Sequence, residues 1–358
     1  MPQLAIPYMH IRGGSSKGLF FNAADLPSDA SAREQVLVAA MGADARQIDG
    51  LGGANPLTSK VAIVSSSERE GIDLDYLFVQ VVVGKGVVDM TQNCGNILAG
   101  VMPFALETGM ITATPGQTKA RIYMVNSSNV CDVTVETPEG EITYVGDCRI
   151  DGVPGTASPV VCDYLDVAGS ACGALLPTGQ VVDSFDGVEV TCIDNGMPVV
   201  VLKADDFGLS GDESVAELNA NTQLKERLES IRLQAGPAMN LGDVSSKVVP
   251  KMCLVSPAKS GGAFSTRTFI PHVCHDAIGV LGAVSAATAA TLPGSVISHI
   301  ARVPEGNDKA MSVEHPSGEF SVQLSFADDG SLLSAGLLRT ARALSRGEVL
   351  VPAALAEV

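Results

Sequence analysis

Tryptophan is absent from these 358 residues, and all aromatics together make up only 4% of them. A chain that is nevertheless 46% apolar must build its cores from Val, Ile, Leu and Ala, which suits packed β-sheets. Cations are scarce as well: 23 Lys and Arg stand against 40 Asp and Glu, a formal net charge of -17. That balance argues against nucleic acid or an anionic membrane surface as a partner. An anionic small molecule stays compatible only if the few basic residues gather in one cleft. No apolar run reaches membrane-spanning length; the longest candidate, residues 278–292, is rich in Ala, Gly and Thr. Met1-Pro2-Gln3-Leu4 lacks the basic and apolar regions of a secretory signal. The cysteines at 94, 131, 148, 162, 172, 192, 253 and 274 contain no Cys-x-x-Cys pair, so reduced thiols are expected in place of a disulfide frame. These absences lead to the expectation of a soluble, cytoplasmic protein.

What is present reads as α+β. Short β-branched runs at 5–11, 60–64, 76–83, 119–125, 130–137 and 141–145 predict strands, the last two joined as a hairpin by Pro138-Glu139-Gly140. Helices are predicted at 32–41, behind the capping cluster 28–31, and at 97–108, closed by Gly109. A chain of this length exceeds one ordinary core. The polar stretch 178–185 therefore sets the expected boundary, with domains at 1–185 and 186–335 and the segment 336–358 rejoining the first. The second half predicts strands over 190–202 and at 251–255 and 265–270, with helices at 219–233 and from 278 to about 288. In both halves a strand leads through a cysteine to a helix rich in small residues, at Asn93-Cys94-Gly95-Asn96-Ile97 and at Val273-Cys274-His275-Asp276-Ala277-Ile278. This suggests two copies of one unit, each wrapping strands around a central helix, whose helix N-termini share a cleft.

The segment Gln92-Asn93-Cys94-Gly95-Asn96 is the most informative. It places Cys94 at a helix N-terminus, where free N–H groups and the helix dipole favour a thiolate or a bound anion. Gly95 lets a ligand approach the backbone, and the Asn93 and Asn96 amides can clamp a carboxylate. Arg12-Gly13-Gly14-Ser15-Ser16-Lys17-Gly18 reads as an anion-binding nest with two cations, and it lacks phosphate-loop spacing. Lys60 stands between Ser59 and an apolar strand; burial there would lower its pKa toward that of a general base. Taken alone, a strand-end lysine more often reaches for water. Arg267 offers a fork for a carboxylate. His272, Cys274 and His275 have no second cluster at zinc-like spacing, so no metal is expected. His315-Pro316-Ser317-Gly318 is read as a turn between strands.

Taken together these residues resemble one family. Arg12 to Gly18, Leu57-Thr58-Ser59-Lys60-Val61-Ala62, Gln92 to Asn96, Asp194-Asn195-Gly196-Met197-Pro198, Thr266-Arg267 and His315 to Gly318 are similar to the motifs of the PrpF-type isomerases. In the first motif Ser15 replaces the usual threonine. That family holds 2-methylaconitate cis–trans isomerases and 4-oxalomesaconate tautomerases, similar in fold to diaminopimelate epimerase. The resemblance implies two similar domains, each a curved, barrel-like sheet around a central helix, with the active site in the cleft between them. It also implies no metal or organic cofactor, and a small unsaturated tricarboxylate as substrate.

On that resemblance Lys60 and Cys94 are the catalytic residues. Arg12, Ser15, Ser16, Lys17, Asn93, Gly95, Asn96, Asn195, Thr266, Arg267, His315 and Ser317 would bind the substrate. Lys60 would remove an allylic proton and return it at another carbon, while Cys94 acts as a second acid/base or only shapes the anion site. Cys274 falls near the place of a second racemase cysteine, with His275 where glycine is usual. Segments 44–50, 173–179 and 239–244 resemble the tautomerases of gallate and protocatechuate breakdown, so 4-oxalomesaconate is the expected substrate. The alternatives are 2-methylaconitate and, from a different class, a non-catalytic accessory role for an iron–sulfur hydratase. Oligomeric state stays open, a homodimer among the options.

Overall fold

The computed structural model describes residues 2–91, 93–165 and 167–355; Gln92 of the cysteine motif and residues 356–358 of the expected rejoining segment lie outside them. The chain divides into two compact units, one formed by residues up to 165 with those from 338 onward, the other by the residues between. Residues 167–185, which the sequence reading assigns to the first half, belong with the second. Asp194 Oδ2 accepts the N–H groups of Ala171 and Cys172, each at 2.8 Å, and Asn240 Nδ2 donates to the Cys172 carbonyl at 3.2 Å.

In the first unit β1 (Gln3–Gly13) and β2 (Ser16–Asn22) form an antiparallel hairpin through Gly14, whose φ of 53° suits glycine. Helix α1 (Ala30–Met41) starts at Asp29, whose side chain accepts the Ala32 N–H at 2.8 Å. It leads to β3 (Lys60–Ser66), parallel to β2, and β4 (Leu74–Val82) returns antiparallel with the short β5 (Val87–Asp89) at its end. Helices α2 (Gly95–Leu98) and α3 (Val101–Glu107) follow, so the helix expected over 97–108 is broken near Gly100. Strand β6 (Gly116–Met124) runs parallel to β4, with β7 (Asn129–Thr137) and β8 (Pro159–Leu165) antiparallel after it. Beyond β8 lies the last strand, β16 (Leu332–Pro352), which also pairs with β1, so the order β1-β2-β3-β4-β6-β7-β8-β16 returns to its start. The strand expected at 141–145 does not form. Thr143 N–H still reaches the Glu136 carbonyl, but the chain then bends into a loop tied by the Cys148–Ala157 bridge.

Alternation gives this sheet two apolar faces. Leu19, Phe21, Val61, Ile63, Val79 and Val81 pack with Val36, Leu37 and Met41 of α1. The residues between them face α2 and α3. Phe20 and Phe104 rings lie 6.1 Å apart, and a Cβ on Gly100 would stand 2.5 Å from the Phe20 ring.

The second unit contains β9 (Asp183–Phe185), β10 (Val188–Asp194), β11 (Pro198–Lys203), β12 (Lys251–Ser256), β13 (Phe264–Phe269), β14 (Asp308–His315) and β15 (Gly318–Phe326), then the start of β16. Helices α4 (Val215–Ala220) and α5 (Thr222–Ala238) join β11 to its parallel neighbour β12; the helix expected at 219–233 corresponds to most of α5, and α4 was not foreseen. Leu224, Leu228, Ile231 and Ala235 of α5 pack on Val190, Leu202, Met252 and Leu254. Helix α6 (Val280–Thr291) contacts β10, β11, β14 and β15. Small side chains make α6 buried over most of its length, from Gly282 to Ala290. No helix of the described residues is long and apolar enough to cross a membrane.

Candidate active site

Strand β4 organises the site. Tyr76, Phe78 and Gln80 are alternate residues on the face that looks toward α2 and α3, opposite Val79 and Val81. The Tyr76 hydroxyl donates to the Cys94 carbonyl at 3.2 Å. Burial, with smaller contributions from Cys94, Tyr164 and Cys162, pushes that phenol well above the ordinary tyrosine range, so it remains a donor. Four residues along the strand, Gln80 Oε1 accepts from Lys60 Nζ at 2.9 Å. Gln80 is itself fixed, its amide nitrogen donating to the Ser59 carbonyl at 2.9 Å. Between these contacts Lys60 Nζ stands 5.0 Å from the centroid of the Phe78 ring. Lys60 is 9% exposed, so a long cationic side chain has been folded back over the sheet in place of reaching water. A single strand therefore carries Lys60 and Cys94 on one face.

The cysteine is the N-cap of α2, half-buried and with no side-chain hydrogen bond to the helix. Its carbonyl also accepts the Leu98 N–H at 3.0 Å. The approach to Cys94 is fixed by Asn126, whose side chain bonds both backbone groups of Phe78 and the Met90 carbonyl, each at 2.8 Å. Asn93 donates to Ser127 Oγ, leaving its own Oδ1 buried without a partner among the described residues. The glycine turn packs directly on the helix start. A Cβ on Gly13 would lie 2.2 Å from the Asn96 carbonyl oxygen, and one on Gly14 2.1 Å from Asn96 Oδ1. Asn96 Nδ2 donates to Ser15 Oγ at 3.1 Å. Ser15, Ser16, Asn93, Gly95, Asn96, Cys94 and Lys60 thus belong to one side of the sheet and its rim.

Arg12 and Lys17 have the other parity in the sheet, although they line one hollow together with Ser15, Ser16 and Thr58 at the turn. Arg12 has the parity of Leu4, Ile6 and Tyr8, and Lys17 that of Leu19 and Phe21, all of which pack toward α1. Lys60 pairs with Gly18, on the other parity. The charges of the nest motif leave the sheet opposite Lys60. Arg12 Nη1 instead ties the turn, donating to the carbonyls of Gly14 and Thr340 at 2.8 and 3.0 Å.

In the second unit the expected ligands are mostly engaged. Asn195 is buried, with its N–H on Ser285 Oγ at 3.1 Å and Nδ2 on Thr288 Oγ1 at 2.9 Å, so it locks α6 to the β10–β11 turn. Thr266 Oγ1 donates to the Glu314 carbonyl at 2.7 Å. The Arg267 fork is turned onto backbone: Nε reaches the Glu213 carbonyl at 2.8 Å and Nη1 the Thr266 carbonyl at 2.9 Å. His315 Nδ1 lies 3.3 Å from Ser317 Oγ, which donates to the Asp276 carbonyl at 2.6 Å. Cys274 is buried and bridged to Phe269, and burial, opposed in part by Arg267, pushes its thiol up to about 11. Sequence reasoning missed Tyr76, Gln80 and Asn126. The alternation of β4 was a signal for the first two; nothing local announces Asn126.

Known proteins share this chain's sequence and shape along almost its whole length. A (4E)-oxalomesaconate Delta-isomerase of Novosphingobium sp. is 56% identical over 346 residues, covering 96% of this chain and 97% of its own. A 4-oxalomesaconate tautomerase of Pseudomonas putida is 54% identical over 352 residues, covering 98% and 97%. The crystal structure of a methylitaconate-delta-isomerase superposes with a TM-score of 0.90 at 33% identity, over 99% of this chain and 98% of that one. The family described as PrpF protein matches residues 3–352, and this chain belongs to it.

Proposed function

We propose that this protein is a cofactor-independent isomerase that moves a double bond in 4-oxalomesaconate by allylic proton transfer. The observation that carries the mechanism is the strand β4 ladder, which holds Lys60 over Phe78 and Cys94 through Tyr76 on one face. Two relatives above half identity carry oxalomesaconate in their names, which supports that substrate within the family.

An allylic proton beside a carbonyl is acidified by conjugation, so a positioned amine suffices as base. Lys60 takes the proton, and the electron pair spreads into a dienolate. The ammonium so formed has Gln80 Oε1 and the Phe78 ring as its neighbours, at 2.9 Å and 5.0 Å. The dienolate oxygens and the substrate carboxylates face the Asn96 amide, Ser15 and the α2 start around Cys94, fixed donors that need no reorganisation. Lys60 then returns the proton to the distal carbon. Cys94 shapes this anion site or serves as the second acid. The two units are the two similar domains of the diaminopimelate epimerase-like reading, each a sheet curved around its inner helix.

The test is incubation with 4-oxalomesaconate in heavy water, following absorbance and deuterium incorporation. Conversion with deuterium at the allylic carbon that disappears in Lys60→Ala is the expected result. Conversion of 2-methylaconitate alone would reassign the substrate. Inertness toward both would return the accessory role.

A further inference from the structure

Beyond the reacting face, the geometry points to a second anion site on the opposite face of the first unit's sheet, built from Lys17, Arg12 and Arg342 and shaped for a small polyanion. These cations form one rung: Arg12 pairs directly with Lys17 of β2 on one side and with Arg342 of β16 on the other. Like charges set directly opposite across strands repel. In a chain of net charge -17 a counter-ion should have been easy to supply, yet among the described residues none of the three side chains has a carboxylate within ion-pair distance. Burial, and after it the charge of Arg342, disfavours the Arg12 cation, and burial and Lys17 hold His10 below its ordinary range. The rung is an unneutralised positive field.

The space over the rung is concave. The loop from Tyr144 to Ala157 bends back, held by the Cys148–Ala157 bridge, and encloses a cavity of about 460 Å³ whose wall includes Arg12, Arg342, Tyr144, Thr156 and Thr340. A second hollow of about 180 Å³ adjoins it, sharing Arg12 and Leu344 and adding Lys17 beside Ser15, Ser16 and Thr58, so it opens at the rim that borders the reacting face. Asp147 and Asp151, the acids of the covering loop, line neither hollow. Glu107, which accepts from the Tyr144 hydroxyl, lies instead in a neighbouring cavity with Arg346. The Arg342 side chain makes no hydrogen bond among the described residues, so its planar donors are free to fork a carboxylate or phosphate. The volume admits a molecule of tricarboxylate size, and Thr156 and Tyr144 are among the residues of its wall.

The test is a thermal-unfolding titration of the full chain with tricarballylate and, separately, inorganic phosphate, against sodium chloride at matched ionic strength. Binding to the folded state alone raises the transition, by roughly 2–4 °C for each kcal/mol at this size. The expected result is a rise with at least one polyanion that persists in Lys60→Ala and is lost in both Arg342→Gln and Lys17→Gln. A response to tricarballylate identifies a polycarboxylate site, and one to phosphate alone a phosphate site. A rise that survives Arg342→Gln and Lys17→Gln, one that vanishes in Lys60→Ala, or no rise with either anion overturns the proposal. Unfolding needs no turnover, so the result stands whether or not the isomerase reading does.

Discussion

The two units share one topology and differ in what it carries. Each runs antiparallel hairpin, outer helix, parallel strand, antiparallel return, inner helix, parallel strand, and two antiparallel strands. Lysine opens the parallel strand in both, as Lys60 in β3 and Lys251 in β12. In the first unit that lysine meets Gln80 and Phe78; in the second, Lys251 Nζ donates to the nearby Val248 carbonyl at 2.7 Å. Continuing the register of β12 and β13 sets Ile270 opposite Lys251, where Gln80 stands opposite Lys60. The inner helices differ in the same sense. Cys94 caps α2, whereas Gly279 caps α6 and Cys274 is withdrawn to a bridge with Phe269. One scaffold therefore supplies support twice, and polar side chains arm a single face.

The sharpest way to break this comparison is to remove each lysine in turn. Lys60→Ala is expected to lower kcat/KM by about 10²–10⁴-fold, the usual worth of a positioned base, with Lys251→Ala within about twofold of the parent. Equal losses in a steady-state assay would mean that the second unit is armed as well. Next in size is Gly14→Ala. At φ 53°, with Asn96 Oδ1 2.1 Å from the new Cβ, the turn must move away from α2. Denaturant unfolding should show a cost of about 1–3 kcal/mol, accompanied by weaker substrate binding.

Much of this division was legible in the residues before the fold was known. Cys94 at a helix start, the glycine turn and the repeated strand-to-helix passage are local patterns, and local patterns survive folding. The side of the sheet was legible too, but only by counting parity. Tyr8, His10 and Arg12 share one face and Met9, Ile11 and Gly13 the other, whereas the motif reads as a continuous string. Contacts between distant residues were not legible. Asn126 bonds Phe78 from 48 positions away and Gln80 bonds Lys60 from 20. The engaged state of Thr266 and Arg267 depends on carbonyls of Glu314 and Glu213, which no motif encodes. The absent strand at 141–145 failed for a similar reason, since the covering loop there has its own bridge.

The two cysteines offer a smaller contrast that chemistry can read. Thiolate is the reactive form, and burial keeps Cys274 protonated until the pH approaches about 11. Alkylation by iodoacetamide, followed peptide by peptide in the folded protein, should spare Cys274 at pH 8 and reach it only as the pH climbs. Half-buried Cys94 should be modified well before Cys274, with activity falling in step. Ready modification of Cys274 at pH 8 would restore it as a candidate second acid.

The mildest change separates holding Cys94 from merely filling space. Tyr76→Phe keeps the ring that packs inside the sheet and removes only the hydroxyl bonded to the Cys94 carbonyl. That carbonyl still accepts the Leu98 N–H, so the loss in stability should be near 1 kcal/mol. If Tyr76 positions the cysteine, kcat should fall several-fold while KM stays within about twofold, because the clamp on substrate at Asn96 and Ser15 is untouched. A change in stability with kcat unaltered would leave Tyr76 a core residue. The β4 ladder would then account for the placement of Lys60 but not for that of Cys94.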